Sequence, residues 1–219
     1  MGGLGGKGWR IGPWQRRLLI GLAVALTSQL YLTVWAEGFR VSTAAILYPA
    51  LLATMMRESH RPDTGLVTGL CVVMMRLALD LAAGMPPGEA LRMEYPGGVF
   101  YLCYDCVLCL LIRDRRTASL GRMGAAFLVS DFISNVINLY LSSGVRGLET
   151  EARALLPLIG LAVARSFTAA MILWGSRYYH RLLLRQEHER RYQRLFLMTA
   201  ELKNELYFLK KNSDDIEQV

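Results

Sequence analysis

The chain has 219 residues, of which 53% are hydrophobic and 20% are charged, and its formal net charge is +7. The mean hydropathy is +0.27, and the charges gather in short basic islands and in the C-terminal quarter. This segregation is typical of a polytopic membrane protein rather than a soluble globular domain. Because the basic residues lie beside apolar segments and no nucleic-acid-binding motif is present, a nucleic-acid partner is not expected.

The apolar segments predict an all-α fold, a polytopic bundle of six transmembrane helices over residues 18–176 that follows a basic tail at 1–17. The second and fourth spans are near or below the usual ~17–25 residues, so we expect them to be tilted or longer than their apolar cores. The motif EYPGG at 94–98 predicts a turn before the fourth span. In chain order, the predicted spans are Leu18–Ala36, Val41–Met56, Thr64–Ala83, Gly98–Ile112, Met123–Ser142 and Ala154–Ser176.

The basic residues between the spans alternate strongly, which predicts orientation by the positive-inside rule. One side holds the basic N-terminal tail, the loops around 57–61 and 113–122, and the Arg-rich segment from 177; the other side holds few basic residues. Both termini are therefore expected in the cytoplasm, with the bundle in the cell membrane. The loops on the outer side are short, which excludes a separate extracellular ligand-binding domain.

Residues 177–219 are charged and helix-prone, and they predict a cytoplasmic helix. Leu195, Leu202, Leu209 and Ile216 recur every seven residues, while Tyr192, Thr199 and Leu206 fill part of a second seam position. This heptad pattern predicts a parallel dimeric coiled coil, with a solitary amphipathic helix as the alternative. No helix stop signal precedes Val219, so we expect a further domain beyond it.

Seven polar residues inside the predicted spans are candidates for a ligand-binding or switch site, since ionisable groups in hydrocarbon are costly and seldom face lipid. We expect Arg76 to pair with Asp80 or Asp105, and Arg165 with Asp131. Two interpretations stay open: ion pairs that fix helix packing, or a polar cavity that takes a small polar ligand or responds to protonation. The candidates are Arg76, Asp80, Asp105, Asp131, Asn135, Asn138 and Arg165.

Other motifs carry little chemistry. The cysteines of CYDCVLC at 103–109 lie in an apolar run without an evident fourth ligand, which favours packing over metal binding. The GLVTG motif at 65–69 permits close approach of another helix or dimerisation. No nucleotide-binding, dinucleotide-binding or metalloprotease motif is present. We therefore expect no catalytic residue, metal or cofactor within these residues, and enzymatic activity stays uncertain.

The layout of short-looped spans leading into a charged helix resembles the membrane sensor region of bacterial histidine kinases of the sporulation kinase B and 5TM-Lyt type. The resemblance rests on ILYPALLATMMRESHRPDTGLVTGLCVVMMRLALD, EYPGGVFYLCYD and ELKNELYFLKKNSDDIEQV. It implies a dimeric sensor that signals through residues 177–219 to a cytoplasmic kinase core and a response regulator. Such membrane regions are themselves similar to the substrate-binding components of energy-coupling-factor transporters.

Three functions follow from these features. The first is the sensory input module of a two-component histidine kinase. The second is the substrate-binding component of an energy-coupling-factor transporter for a vitamin or another small molecule, for which the long heptad-bearing tail is not needed. The third is a membrane enzyme with paired carboxylates, for which no acid/base pair with suitable spacing stands out.

Overall fold

The computed structural model describes residues 12–33, 40–56, 62–115, 117–150 and 155–216. These residues form six helices and one short antiparallel strand pair, in which Leu32 lies opposite Val41. In chain order the elements are α1 (Pro13–Thr27), β1 (Tyr31–Thr33), β2 (Arg40–Ser42), α2 (Ala44–Met55), α3 (Asp63–Ala82), α4 (Pro87–Leu111), α5 (Leu120–Thr150) and α6 (Leu155–Ile216).

Three of these helices are long and apolar enough to cross a membrane: α3, α5 as far as Ser142, and the part of α6 that begins at Ile159. They correspond to the predicted third, fifth and sixth spans. Helices α1 and α2 have 15 and 12 residues, fewer than the ~17–25 that usually span hydrocarbon. The described residues thus form a helical protein with three helices suited to a bilayer, and the six-span arrangement stays a prediction.

The predicted first span is wrong in its second half. Helix α1 ends at Thr27, and the chain then enters β1 instead of continuing as a helix to residue 36. The hydroxyls of Thr27 and Ser28 donate to the carbonyls of Ala23 and Ala25, at 2.9 and 2.7 Å. Such local side-chain bonds compete with helix propagation, which explains the early end. Residues 34–39 lie outside the described part.

The loops predicted on the outer side are also shorter than expected. The turn predicted at 94–98 is wrong, because helix α4 starts at Pro87 and contains Pro96. Proline often marks a turn, but a helix can continue through it where neighbouring groups satisfy the freed backbone groups. Likewise, α5 continues to Thr150, through most of the loop predicted at 143–153.

Helices α3 and α4 pack with their backbones close together. A Cβ atom added to Gly65 would lie 2.6 Å from the Tyr101 carbonyl oxygen, and one added to Gly69 would collide with the carbonyl oxygen of Gly98. Only glycine allows this separation. The close approach expected from the GLVTG motif is therefore confirmed as a contact within the chain.

An aromatic cluster fills the centre of the core. Tyr48 of α2 packs edge-to-face on Tyr101 and Tyr104 of α4, with ring centroids 5.1 and 5.6 Å apart, and Phe100 completes the group. All four side chains are buried. Edge-to-face packing stabilises such clusters beyond simple burial, so α2 is fixed against α4 although it is short.

The chain divides into two compact units, residues 1–174 and 175–219. The second unit consists of the C-terminal part of α6. Its side chains from Tyr178 to Lys203 are exposed, including Leu195 and Leu202, each 60% accessible. A run of accessible large apolar side chains on one helix is unusual in a monomer.

Candidate functional site

The first ionic site of the bundle, named the α4 ion pair, joins Asp105 to Arg115. Their Oδ1 and Nη2 atoms are 2.8 Å apart, and both side chains are almost completely inaccessible. The backbone N–H of Gly65 donates to Asp105 Oδ2 at 2.8 Å, so the close packing of α3 brings a donor to the carboxylate. Cys109 Sγ lies 3.1 Å from Arg115 Nη2. This is a short ion pair whose two carboxylate oxygens both have donors.

Arg115 was missed as a site residue from the sequence. Because it follows the end of α4 among other arginines, sequence reasoning assigns it to the basic loop at 113–122. In the structure it folds back to Asp105, ten residues earlier. Asp105 thus lacks the predicted bond to Arg76. A fully buried carboxylate needs a cation within reach, and Arg115 provides it for Asp105.

The second site, the Arg76 site, lies between α3 and α4 near the end of α1. Arg76 donates to Glu94 at 3.1 Å and to the Ser28 carbonyl oxygen at 3.2 Å. The predicted pairing with Asp80 or Asp105 is wrong. Helix α4 already includes the residues before Pro96, so Glu94 lies in this helix and reaches Arg76. Asp80 is half-buried and makes no ion pair with any residue that the structure describes.

The third site, the α5/α6 site, joins Asp131 to Arg165. Asp131 Oδ1 and Arg165 Nη1 are 3.8 Å apart, so the predicted pairing is confirmed, but this distance is too long for a hydrogen bond. Asn135 Nδ2 donates to Asp131 Oδ2 at 3.0 Å and to the Asp131 carbonyl oxygen at 2.8 Å. Asn138 is half-buried on the same helix.

Buried polar atoms without hydrogen-bond partners surround the α5/α6 site. They belong to α5 and α6, and every one of these side chains is at least nine-tenths buried. On α5 and α6 the atoms are Ser130 Oγ, Asp131 Oδ1, Ser134 Oγ, Arg165 Nε and Ser166 Oγ. Unsatisfied polar atoms are costly in hydrocarbon, and α3 carries two more, Thr64 Oγ1 and Thr68 Oγ1.

One tyrosine of the aromatic cluster links α4 to α5. Tyr104 Oη donates to the Phe127 carbonyl oxygen of α5 at 3.4 Å. No sequence pattern predicts this contact, because a tyrosine in an apolar run has the pattern of an ordinary core residue.

The arrangement offers charge and hydrogen bonding but little covalent chemistry. The four cysteines are free thiols, and within the described ranges no group of three or more histidine, cysteine, aspartate or glutamate side chains is placed to hold a metal. Comparison with protein-family models, with curated proteins and with solved structures finds no match. Function must therefore be argued from the geometry.

Proposed function

We propose that the chain is the membrane-embedded sensory input module of a two-component histidine kinase. One observation supports this above all: a single helix, α6, contains both Arg165, paired with Asp131 in the bundle, and the accessible heptad residues Leu195 and Leu202. A stimulus that changes the partners of Arg165 acts on the same helix that carries the heptad seam. A helix with two arrangements, whose relative populations a local event shifts, acts as a switch.

In this proposal six spans hold the module in a bacterial cell membrane with both termini in the cytoplasm. Two copies associate through the heptad seam of 177–219 as a parallel coiled coil. The signal passes to a cytoplasmic kinase core and then to a response regulator. The α4 ion pair and the Arg76 site hold the helices together, while Asp131, Asn135, Asn138 and Arg165 respond to the stimulus.

The coiled coil is tested by disulfide cross-linking of the full chain in nanodiscs. Leu202→Cys places a thiol in the seam, and Leu197→Cys places one on the opposite face at nearly equal accessibility, 64% against 60%. Wild-type protein with its four native cysteines is the blank. We expect a covalent dimer at least about tenfold more abundant for Leu202→Cys, because seam positions face each other in a parallel dimer. Equal yields from the two variants would reject the coiled coil.

A substrate-binding component of an energy-coupling-factor transporter is the second candidate. The observation that favours it is the group of unpartnered hydroxyls of Ser130, Ser134 and Ser166 beside Asp131, because transported molecules bind at polar groups within the bundle. This candidate predicts a monomer, so both cysteine variants would give only the blank level of cross-linked dimer.

A further inference from the structure

The α5/α6 site holds two opposite charges that do not form a hydrogen bond with each other. Asp131 Oδ1 lies 3.8 Å from Arg165 Nη1, which is beyond hydrogen-bond distance. Asp131 Oδ1 and Arg165 Nε also have no hydrogen-bond partner among the described residues. The two side chains are only 2% and 7% exposed. The interior of the bundle therefore contains one charged acceptor and one charged donor that are both available to a ligand.

Three serine hydroxyls accompany these charges on the two helices. Ser130 and Ser134 of α5 lie beside Asp131 and one turn beyond it, and Ser166 directly follows Arg165 on α6. A serine hydroxyl within a helix can bond to a carbonyl of the preceding turn, but these three have no hydrogen-bond partner in the part of the chain that the structure describes. Because a hydroxyl both donates and accepts, each can bond to a ligand group of either charge.

A polar stripe on α5 leads from this ion pair to an exposed end of the apolar segment. Asn135, Asn138 and Ser142 follow Asp131 at intervals of three or four residues, which places them on one side of the helix. Asp131 and Asn135 are buried, Asn138 is half-buried and Ser142 is exposed. Ser142 also ends the apolar part of α5, about 16 Å along the axis from Asp131. The stripe therefore offers a small polar molecule a polar surface from that end to the ion pair.

We propose that the α5/α6 site binds a free α-amino acid as its zwitterion. The ammonium group donates to Asp131 Oδ1, the carboxylate accepts from Arg165 Nε, and the Ser134 hydroxyl bonds to one of these charged ends. A zwitterion adds no net charge to the interior, whereas a simple anion would face Asp131 and a simple cation would face Arg165. A ligand between the two charges separates Arg165 from Asp131 and so displaces α6. The inference rests on the proposed function, since it names the stimulus of the same site.

The test is a thermal-unfolding titration of the full chain in detergent micelles with the proteinogenic L-amino acids, one at a time. We expect at least one of them to raise the unfolding temperature as its concentration increases, because a ligand of the folded state stabilises that state. The corresponding amine lacks the carboxylate, and the corresponding α-hydroxy acid lacks the ammonium group. Each should bind at least about tenfold more weakly than the amino acid. The absence of any shift, or an equal affinity for either analogue, would overturn the proposal.

Two serine variants locate the bound amino acid. Ser134→Ala removes an unpartnered hydroxyl of the site and should weaken binding at least about tenfold, because a hydrogen bond to a charged group is lost. Ser28→Ala is the matched control, since its buried hydroxyl donates to the Ala25 carbonyl oxygen, and it should retain binding within about twofold of wild type. Equal affinities in the two variants would overturn the proposal. Cross-linking of Leu202→Cys without added amino acid tests the coiled coil independently, so the failure of the ligand and the failure of the proposed function are distinguishable.

Discussion

The two buried ion pairs of the bundle differ in length and in the packing of the helices beside them. Asp105 and Arg115 are 2.8 Å apart, beside a helix interface that only glycine permits. Asp131 and Arg165 are 3.8 Å apart, and Gly124 of α5 leaves room for a Cβ atom, whose nearest contact, with Ala170 of α6, would be at 3.8 Å. The α3/α4 interface therefore leaves no room for side chains at Gly65 and Gly69, while α5 is less tightly packed at Gly124. In the proposed function this contrast separates a scaffold, α3/α4, from the side of the bundle that responds to the stimulus.

The largest effect should come from removing the carboxylate at the α4 ion pair. Asp105→Ala leaves Arg115 buried without its ion-pair partner, which should lower the free energy of unfolding by about 3–5 kcal/mol. The measurement is unfolding in mixed detergent micelles. Asp80→Ala, at a half-buried carboxylate of α3, is the control and should stay within about 0.5 kcal/mol of wild type. Similar losses in the two variants would contradict the special role of Asp105.

A smaller effect is expected at the α5/α6 site. Arg165→Ala should destabilise the bundle by about 2–3 kcal/mol, because Asp131 then remains buried without a counter-ion. Neutralising the partner in Arg165→Ala/Asp131→Ala should recover part of this loss, with a coupling energy of about 0.5–3 kcal/mol in a double-mutant cycle. If the two effects simply add, the two residues are not paired in the folded bundle.

Substituting one glycine in each interface compares the packing of the two interfaces directly. Gly65→Ala drives a methyl group against the Tyr101 backbone and should cost about 1–3 kcal/mol through overpacking. Gly124→Ala meets only a Cβ at van der Waals distance and should be neutral or stabilising by up to about 1 kcal/mol, because alanine favours the helix. Thermal unfolding of the two variants in the same nanodiscs measures the difference; equal shifts would remove the contrast between the interfaces.

The smallest expected effect on stability concerns two fully buried serines, whose substitution by alanine should change stability in opposite directions. Ser134→Ala removes a hydroxyl without a partner, so stability should be unchanged or rise by up to about 1 kcal/mol. Ser28→Ala removes a hydroxyl that donates to the Ala25 carbonyl oxygen at 2.7 Å and should lower stability by about 1 kcal/mol. Chemical unfolding resolves the signs, and a clear loss for Ser134→Ala would show that its hydroxyl is already engaged in the resting bundle.

Sequence reasoning identified the helical class and the polar residues because the requirements of a hydrocarbon environment leave a clear pattern in the sequence for both. Long apolar runs predict helices, and an aspartate or arginine within one must find a partner, which led correctly to Asp131 and Arg165. The partners of Arg76 and Asp105 were missed for one reason. Glu94 and Arg115 lie beyond the apolar cores, one at the start of the predicted turn at 94–98 and one in a basic loop, so apolar periodicity could not place either inside the bundle.

The proposed control of the heptad seam by the α5/α6 site is tested by comparing Leu202→Cys cross-linking in nanodiscs with and without Asp131→Asn, a substitution that removes the charge but keeps the side-chain shape. We expect the rate of dimer cross-linking to change at least about threefold, because Arg165 loses its counter-ion on the helix that carries Leu202. Robust cross-linking at the same rate in both proteins would contradict the claim, since the seam would then be independent of the ion pair.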